Sequence, residues 1–436
     1  MRISVIGCGY LGAVHAACMA ELGHDVVGID VDEHKVSELS AGRAPFFEPG
    51  LPEVLTRAVA TGRLRFTTDM SQAQDATVHF VAVGTPQTKG SFTADLTYVN
   101  AAIDGLLPYL SEGDLVVGKS TVPVGTAARL AGIIEGAGSG AHLAWNPEFL
   151  REGFAVQDTV APDRFVYGVP AGEPGVRAAE QLDEVYATAL ATGTPKIVTD
   201  YATAELVKVS ANAFLATKIS FINAMAEVAE ATGADVTQLA DAIGHDARIG
   251  RKFLNAGLGF GGGCLPKDIR AFRARGDELG LSDTLAFLGQ VDAINLRRRE
   301  RVVTLTRELV GDLQGAKIGV LGLAFKPNSD DVRDSPALDV VKKLVEAGAT
   351  VTAFDPEANG TATRSLPSLV TVGSAAEAYA GVDALLVLTE WQEFRDLVPS
   401  EVAAAVAQKK VVDGRNCLNV AEWREAGFEL RGLGRP

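Results

Sequence analysis

A chain of 436 residues is too long for one ordinary hydrophobic core and implies two or three domains. Hydrophobic residues at 47% and charged residues at 22% are the proportions of a soluble globular enzyme. A formal net charge of −15 excludes a general nucleic-acid binder, which needs a basic face, but leaves room for a phosphate ligand held by backbone N–H groups. In chain order, the short apolar runs at 3–6, 26–30 (VVGID), 77–83 (TVHFVAV) and Leu115–Gly118 are bounded by Gly, Pro and polar turns. Helical patterns lie between them, which predicts βαβ units and a parallel sheet.

Past residue 197 the texture changes. Residues 200–233 are rich in Ala, Glu, Lys, Leu and Ile with no Pro and no Gly before Gly233, which predicts one unusually long helix. Strand patterns return at Lys317–Leu321, Thr350–Phe354, 384–388 and Lys410–Asp413. The expected fold is therefore α/β, with two Rossmann-like doubly wound parallel-sheet domains joined by a central helical domain that carries the long helix. The expected boundaries are 1–197, 198–310 and 311–436. No apolar run reaches the roughly 18 residues of a membrane span. The opening MRISVIGCGYLG runs straight into a strand and a glycine turn, with no room for a signal peptide. Cys8, Cys18, Cys264 and Cys417 make no C-x-x-C pair and no zinc spacing, so no metal site is expected. This sparse usage suits a reducing cytoplasm.

Gly7-Cys8-Gly9-Tyr10-Leu11-Gly12 matches G-x-G-x-x-G between a strand and a helix, and Asp30 ends the next strand. Gly7 permits a tight turn, Gly9 lets the backbone approach a pyrophosphate, and Gly12 lets helix and strand pack closely. Asp30 would accept a hydrogen bond from a ribose hydroxyl and repel a 2′-phosphate, so NAD is expected over NADP. Lys35 is the basic neighbour and a second cofactor candidate. Gly84-Thr85-Pro86 and Ser120-Thr121 end two further strands, where ribose and nicotinamide contacts are expected, although such turns are also ordinary punctuation.

The most unusual segment is Gly259-Phe260-Gly261-Gly262-Gly263-Cys264-Leu265-Pro266-Lys267-Asp268. Its glycine run demands backbone geometry that no ordinary side chain permits. Cys264 is expected at the start of the next helix, where N–H groups and the dipole lower a thiol pKa, with Lys267 adding positive charge. A small buried cysteine beside a structural turn is the competing reading.

Together with VGTPQ at Val83, STVP at Ser120, NPEFLREG at Asn146, ELVKVSANAF at Glu205 and GLAFKPNSDDVRDSP at Gly322, these segments resemble the UDP-glucose/GDP-mannose dehydrogenase family over nearly the whole chain. The likeness looks strongest to members that oxidise UDP-glucose; GDP-mannose and UDP-N-acetylmannosamine are the alternatives. It implies that Cys264 is the nucleophile and that Lys208, four residues before Asn212 in the long helix, donates and accepts a proton, with Asn212 as a second hydrogen-bond donor. Glu148, Thr121 and Asp268 would handle the water of a hydrolytic step. Residues alone would make Glu148 and Glu152, four apart, an exposed acidic helix face.

The resemblance further implies substrate contacts from Glu148, Phe149, Leu150, Arg151, Glu152, Phe253, Leu254, Asn255, Gly257, Gly261, Phe325 and Lys326, and more weakly from Arg415. Glu152, Lys267 and Arg333 would lie near NAD. A homodimer is implied, with Arg248 reaching the neighbouring subunit's substrate. One rival is a one-step dehydrogenase, which would make one NADH per substrate rather than two. The other is a non-catalytic nucleotide-sugar-binding protein, which would make none.

Overall fold

Eight strands build the first sheet: β1 Arg2–Ile6, β2 Asp25–Ile29, β3 Leu64–Thr67, β4 Val78–Val81, β5 Leu115–Gly118, β6 His142–Trp145, β7 Phe165–Gly168 and β8 Lys196–Thr199, in spatial order β3-β2-β1-β4-β5-β6-β7-β8. This computed structural model describes residues Met1–Pro436. β1, β4 and β5 are mostly apolar and, Arg2 apart, buried, because helices cover both faces of the sheet; the polar Ser4 and His79 among them pair with each other at 2.8 Å. Two hydrophobic clusters lie on those faces, one around Val5, Val14 and Phe80, the other around Ile6, Ile103 and Val116.

The pairing is parallel except where β6 meets β7, with Trp145 opposite Gly168. The sequence reading expected no antiparallel pair. A parallel neighbour requires a crossover that returns the chain to the far end of the sheet. The segment after Trp145 instead holds the NPEFLREG loop and the short helix Ala155–Val160, and re-enters antiparallel.

The second sheet is wholly parallel: β9 Lys317–Leu321, β10 Thr350–Phe354, β11 Val370–Thr371, β12 Ala384–Val387, β13 Lys410–Asp413 and β14 Glu429–Gly432, ordered β11-β10-β9-β12-β13-β14. Both sheets thus repeat the 3-2-1-4-5-6 order of a doubly wound fold, which places ligand-binding loops at the carboxyl ends of the strands.

The long helix spans Tyr201–Thr232. Asp200 caps it by accepting from the Thr203 N–H at 2.8 Å, and Gly233 ends it at φ +74. Two compact units divide the chain, Met1–Ala211 with Asp277–Leu279, and Asn212–Gly276 with Gly280–Pro436. No helix is long and apolar enough to cross a membrane.

Candidate active site

In the first unit, the turn after β1 forms a cradle. A Cβ on Gly12 would overlap the Gly7 carbonyl oxygen, so helix and turn pack at backbone contact distance. A Cβ on Gly9 would meet nothing within 4 Å. Gly9 also stands at the N-terminus of the helix Tyr10–Glu21 with no side-chain cap, leaving first-turn N–H groups for an anion. This is the form a dinucleotide pyrophosphate requires. Tyr10 and Leu11 open the helix.

Asp30 is buried. It accepts from Cys8 N at 2.7 Å and Lys35 Nζ at 2.9 Å on Oδ2, and from Asp32 N at 3.0 Å on Oδ1. A carboxylate has about four acceptor positions, so one remains for a ribose hydroxyl. The next two strand ends are stitched together: Ser120 Oγ donates to the Val83 carbonyl at 2.6 Å and Thr85 Oγ1 to the Thr121 carbonyl at 2.8 Å, while Gly84 and Pro86 stay exposed.

The NPEFLREG segment is a loop, not the acidic helix face that its residues alone suggested. Glu148 Oε1 accepts from Phe149 N at 2.8 Å and Leu150 N at 2.9 Å, and Oε2 meets Lys119 Nζ at 3.0 Å. Burial raises this carboxyl's pKa, but the Lys119 ammonium and the two N–H donors outweigh it and hold the group below the ordinary glutamate range. Phe149 carries the Arg164 guanidinium 4.0 Å from its ring centre and the Lys208 ammonium 5.4 Å from it. Arg151 is tied to Asp158 at 2.8 and 2.6 Å. Glu152 is half-buried, and the loop's end is fixed by Glu48, which accepts from Gly153 N at 2.6 Å, from Ala155 N at 2.7 Å, and from the Tyr10 hydroxyl.

In the second unit, Cys264 immediately precedes the helix Leu265–Glu278, and its carbonyl accepts from Asp268 N at 2.9 Å. The sulfur therefore sits where a helix N-terminus favours an anion. Cys264 is exposed; Cys8 and Cys18 are buried, and Cys417 is half-buried with its thiol pushed up by burial and Asp413. Asp268 is buried between Asn212 Nδ2 and Lys267 Nζ, each at 2.6 Å.

The glycine loop before Cys264 is pinned from several directions. Asn295 pairs with both polar groups of the Phe260 backbone, at 2.7 and 2.9 Å. Asn223 Oδ1 accepts from Gly257 N at 2.9 Å. A side chain on Gly261 would strike the Asp334 carbonyl, and one on Gly263 the Arg333 guanidinium, which is paired with Asp331 at 2.7 Å. Arg415 donates to the carbonyls of Gly259, Phe325 and Leu388, each at 2.9 Å, so its guanidinium clamps the cysteine loop to the sheet.

Phe253 takes φ +65, a conformation a bulky residue adopts only under constraint, and is 40% exposed beside buried Leu254. Asn255 accepts from Arg251 at 2.8 Å. Lys326 Nζ lies 5.3 Å from the Phe325 ring centre. Arg248 stands in solvent, paired with Asp246 at 2.6 Å.

Asp355, at the end of β10, parallels Asp30 in position but not in availability. It accepts from Leu323 N, Ala324 N and Trp391 Nε1 on one oxygen and from Glu357 N and Ala358 N on the other. No acceptor position is left for a ribose hydroxyl, so Asp355 does not repeat the open position of Asp30.

Sequence reasoning missed Lys119, Asn146, Tyr186 and Glu48. The one available signal was a lysine at the end of the buried strand LVVG, directly before Ser120; its partners come from distant segments.

Three family models cover the chain: the NAD binding domain of the UDP-glucose/GDP-mannose dehydrogenase family over 1–190, its central domain over 202–297 and its UDP binding domain over 319–420. A UDP-glucose 6-dehydrogenase of Rhizobium meliloti (strain 1021) is 44% identical over 100% of both chains. The structure of a UDP-glucose dehydrogenase from Pyrobaculum islandicum superposes with a TM-score of 0.90 at 40% identity, covering 100% of this chain and 98% of the other. A UDP-D-ManNAc dehydrogenase structure from Pyrococcus horikoshii reaches a TM-score of 0.87 at 27% identity, covering 100% and 99%. A chain that carries the cradle with its paired acid at Asp30, and an exposed cysteine on a pinned glycine loop, is thus matched by all three of the family's domains: it belongs to the UDP-glucose/GDP-mannose dehydrogenase family.

Proposed function

We propose that this chain oxidises carbon 6 of UDP-glucose to a carboxylate in two NAD-dependent steps through an adduct on Cys264. The observation that carries the reading is the exposure of Cys264 at a helix N-terminus, on a loop held by Asn295 and Arg415. UDP-glucose is favoured over UDP-N-acetylmannosamine by the 44% and 40% identities set against 27%.

The turn 7–12, Asp30 and Lys35 would hold the adenosine half of NAD, and the 84–86 and 120–121 loops the other half. NAD held there would supply the hydride acceptor for each oxidation. Lys208 takes the hydroxyl proton as the aldehyde forms, and Asp268, its carboxylate oriented by Asn212, is kept for the water of the hydrolytic step. Cys264 thiolate then adds to the aldehyde carbon, and a C–S bond forms while the oxygen gains a proton. Lys208 removes that proton in the second oxidation, leaving a thioester. Glu148 takes a proton from a water ordered by Thr121; the water oxygen bonds to carbon, and the sulfur departs with the C–S electron pair. Phe253, Leu254, Asn255 and Gly257, with Phe325 and Lys326, would hold the nucleotide sugar.

A homodimer fits the exposed, seven-spaced apolar stripe Phe214, Phe221 and Val228 on the long helix. Arg248, standing in solvent, would serve the partner's site. A cytoplasmic location fits the sparse cysteines.

The test is NADH counted per nucleotide sugar over a panel of UDP-glucose, GDP-mannose and UDP-N-acetylmannosamine. Two NADH with UDP-glucose, and loss of uronate in Cys264→Ser with NAD binding retained, support the reading. Full uronate production by Cys264→Ser overturns the covalent route, and a preference for another sugar overturns the substrate.

A further inference from the structure

Lys119 is only 4% exposed, yet it directly follows β5 and precedes the Ser120–Thr121 loop. An ammonium removed from water costs several kcal/mol unless its donors are met. Here all three are: Asn146 Oδ1 at 3.1 Å, the Tyr186 hydroxyl at 3.3 Å and Glu148 Oε2 at 3.0 Å. The acceptors are themselves braced. The Tyr186 hydroxyl donates to Asn146 Oδ1 at 2.7 Å, and Asn146 Nδ2 donates to the Val166 carbonyl of β7 at 3.1 Å. With no donor left over, the lysine has none for a ligand, and its charge acts through its neighbour.

That neighbour has one use left. Glu148 accepts two backbone N–H groups on Oε1 and Lys119 on Oε2, which leaves about one acceptor position, on Oε2. We propose that Lys119 is a positioning residue for the hydrolytic half-reaction: braced by Asn146 and Tyr186, it holds the Glu148 carboxylate ionised and turned so that its remaining lone pair meets the attacking water.

The other groups around the pair do not compete for charge. Burial lowers the pKa of His15, on the helix Tyr10–Glu21, well below its ordinary value, and Lys119 adds to the effect. Burial pushes the Cys18 thiol of the same helix up to about 12 and carries the Tyr186 phenol well above its ordinary value. All three stay neutral near pH 7. The cations Arg164 and Lys208 face the adjacent Phe149 ring. Lys119 is thus the cation in direct contact with the Glu148 carboxylate.

The inference rests on the two-step reading, so the experiment separates the two. Thioester on Cys264 is followed by rapid quench and intact-protein mass from mildly acidic to mildly alkaline pH, in wild type, Lys119→Met, Glu148→Gln and the double variant. Removing an opposite charge in contact shifts a carboxyl by roughly 1–3 units. The acid limb of hydrolysis in Lys119→Met should therefore move up by that amount, with thioester accumulating at mildly acidic pH and recovering at alkaline pH. The first oxidation should keep its rate, and Lys119→Met should add no further loss on top of Glu148→Gln, whose double variant should not recover at alkaline pH. A folded Lys119→Met with the wild-type limb, a uniform loss at every pH, or additive losses overturns the proposal. Should Lys119→Met not fold, the Glu148 carboxyl is titrated in wild type by isotope-edited infrared difference against Glu148→Gln; an ordinary glutamate value overturns it equally. If wild type itself yields one NADH and no adduct, the two-step reading falls instead.

Discussion

Asn212 Nδ2 donates to Asp268 Oδ2 at 2.6 Å, joining the long helix to the first turn of the helix that Cys264 precedes. Both side chains are buried, so neither can turn to water if the other is lost. A hydrogen bond to a charged group contributes about 1.5–3 kcal/mol. Asn212→Ala should lower the urea midpoint by that equivalent with the m-value unchanged, because Lys267 still pairs with the carboxylate. An unaltered midpoint would mean that the contact is dispensable. The hydrolytic step should slow as well, since the variant loosens Asp268.

The cradle glycines separate folding from cofactor binding. Gly9 has φ −69, which any residue adopts, and open space where its Cβ would point. Gly9→Ala should fold with wild-type thermal stability and lose NAD affinity. At Gly12 the added carbon overlaps the Gly7 carbonyl, a backbone atom that cannot rotate away. Gly12→Ala should lose several kcal/mol, on the order of an overpacked core. Calorimetry and NAD titration of the pair give the answer; equal stability loss in both would contradict the assignment of the open space to cofactor.

Glu148 ties stability to pH with a definite sign. Its folded pKa lies below the ordinary glutamate range, so the stability it contributes is complete above that range. It is lost as pH falls through the lowered folded value. The unfolding free-energy difference between wild type and Glu148→Gln should be constant near neutrality and shrink on acidification. Urea denaturation at a series of pH values measures it, and a difference that ignores pH would refute the lowered pKa.

What could be read from the sequence follows from where the information is local. β1, β4, β5 and β9 are mostly apolar and bounded by glycine or polar turns, so their residues alone announce them. β8 is exposed along three of its four residues and β11 has two residues, and neither leaves a pattern. The reversal at β6 and β7 depends on where a loop re-enters the sheet, which no residue type encodes. Within the site, the glycine turn with Asp30 and the loop before Cys264 are contiguous motifs. The Lys119 contacts join residues 119, 146, 148 and 186, and Asp355 is filled in part by Trp391; such pairings exist only once the chain is folded.

Arg248 offers the sharpest test of assembly. Its side chain is 89% exposed and touches only Asp246 among the pairings of its own chain. If it completes a partner's site, Arg248→Ala and Cys264→Ser proteins should each be impaired alone at subsaturating substrate, yet recover activity when mixed. In a mixed dimer one site takes intact Cys264 from one subunit and intact Arg248 from the other. Random exchange of equal amounts makes about half the dimers mixed, each with one working site, so recovery should approach about a quarter of wild type. Introducing Phe221→Glu into both proteins should abolish the recovery, because a charge in the exposed Phe214, Phe221 and Val228 stripe opposes pairing of two long helices. No recovery in proteins that sediment as dimers would place Arg248 in its own subunit's chemistry or outside the reaction.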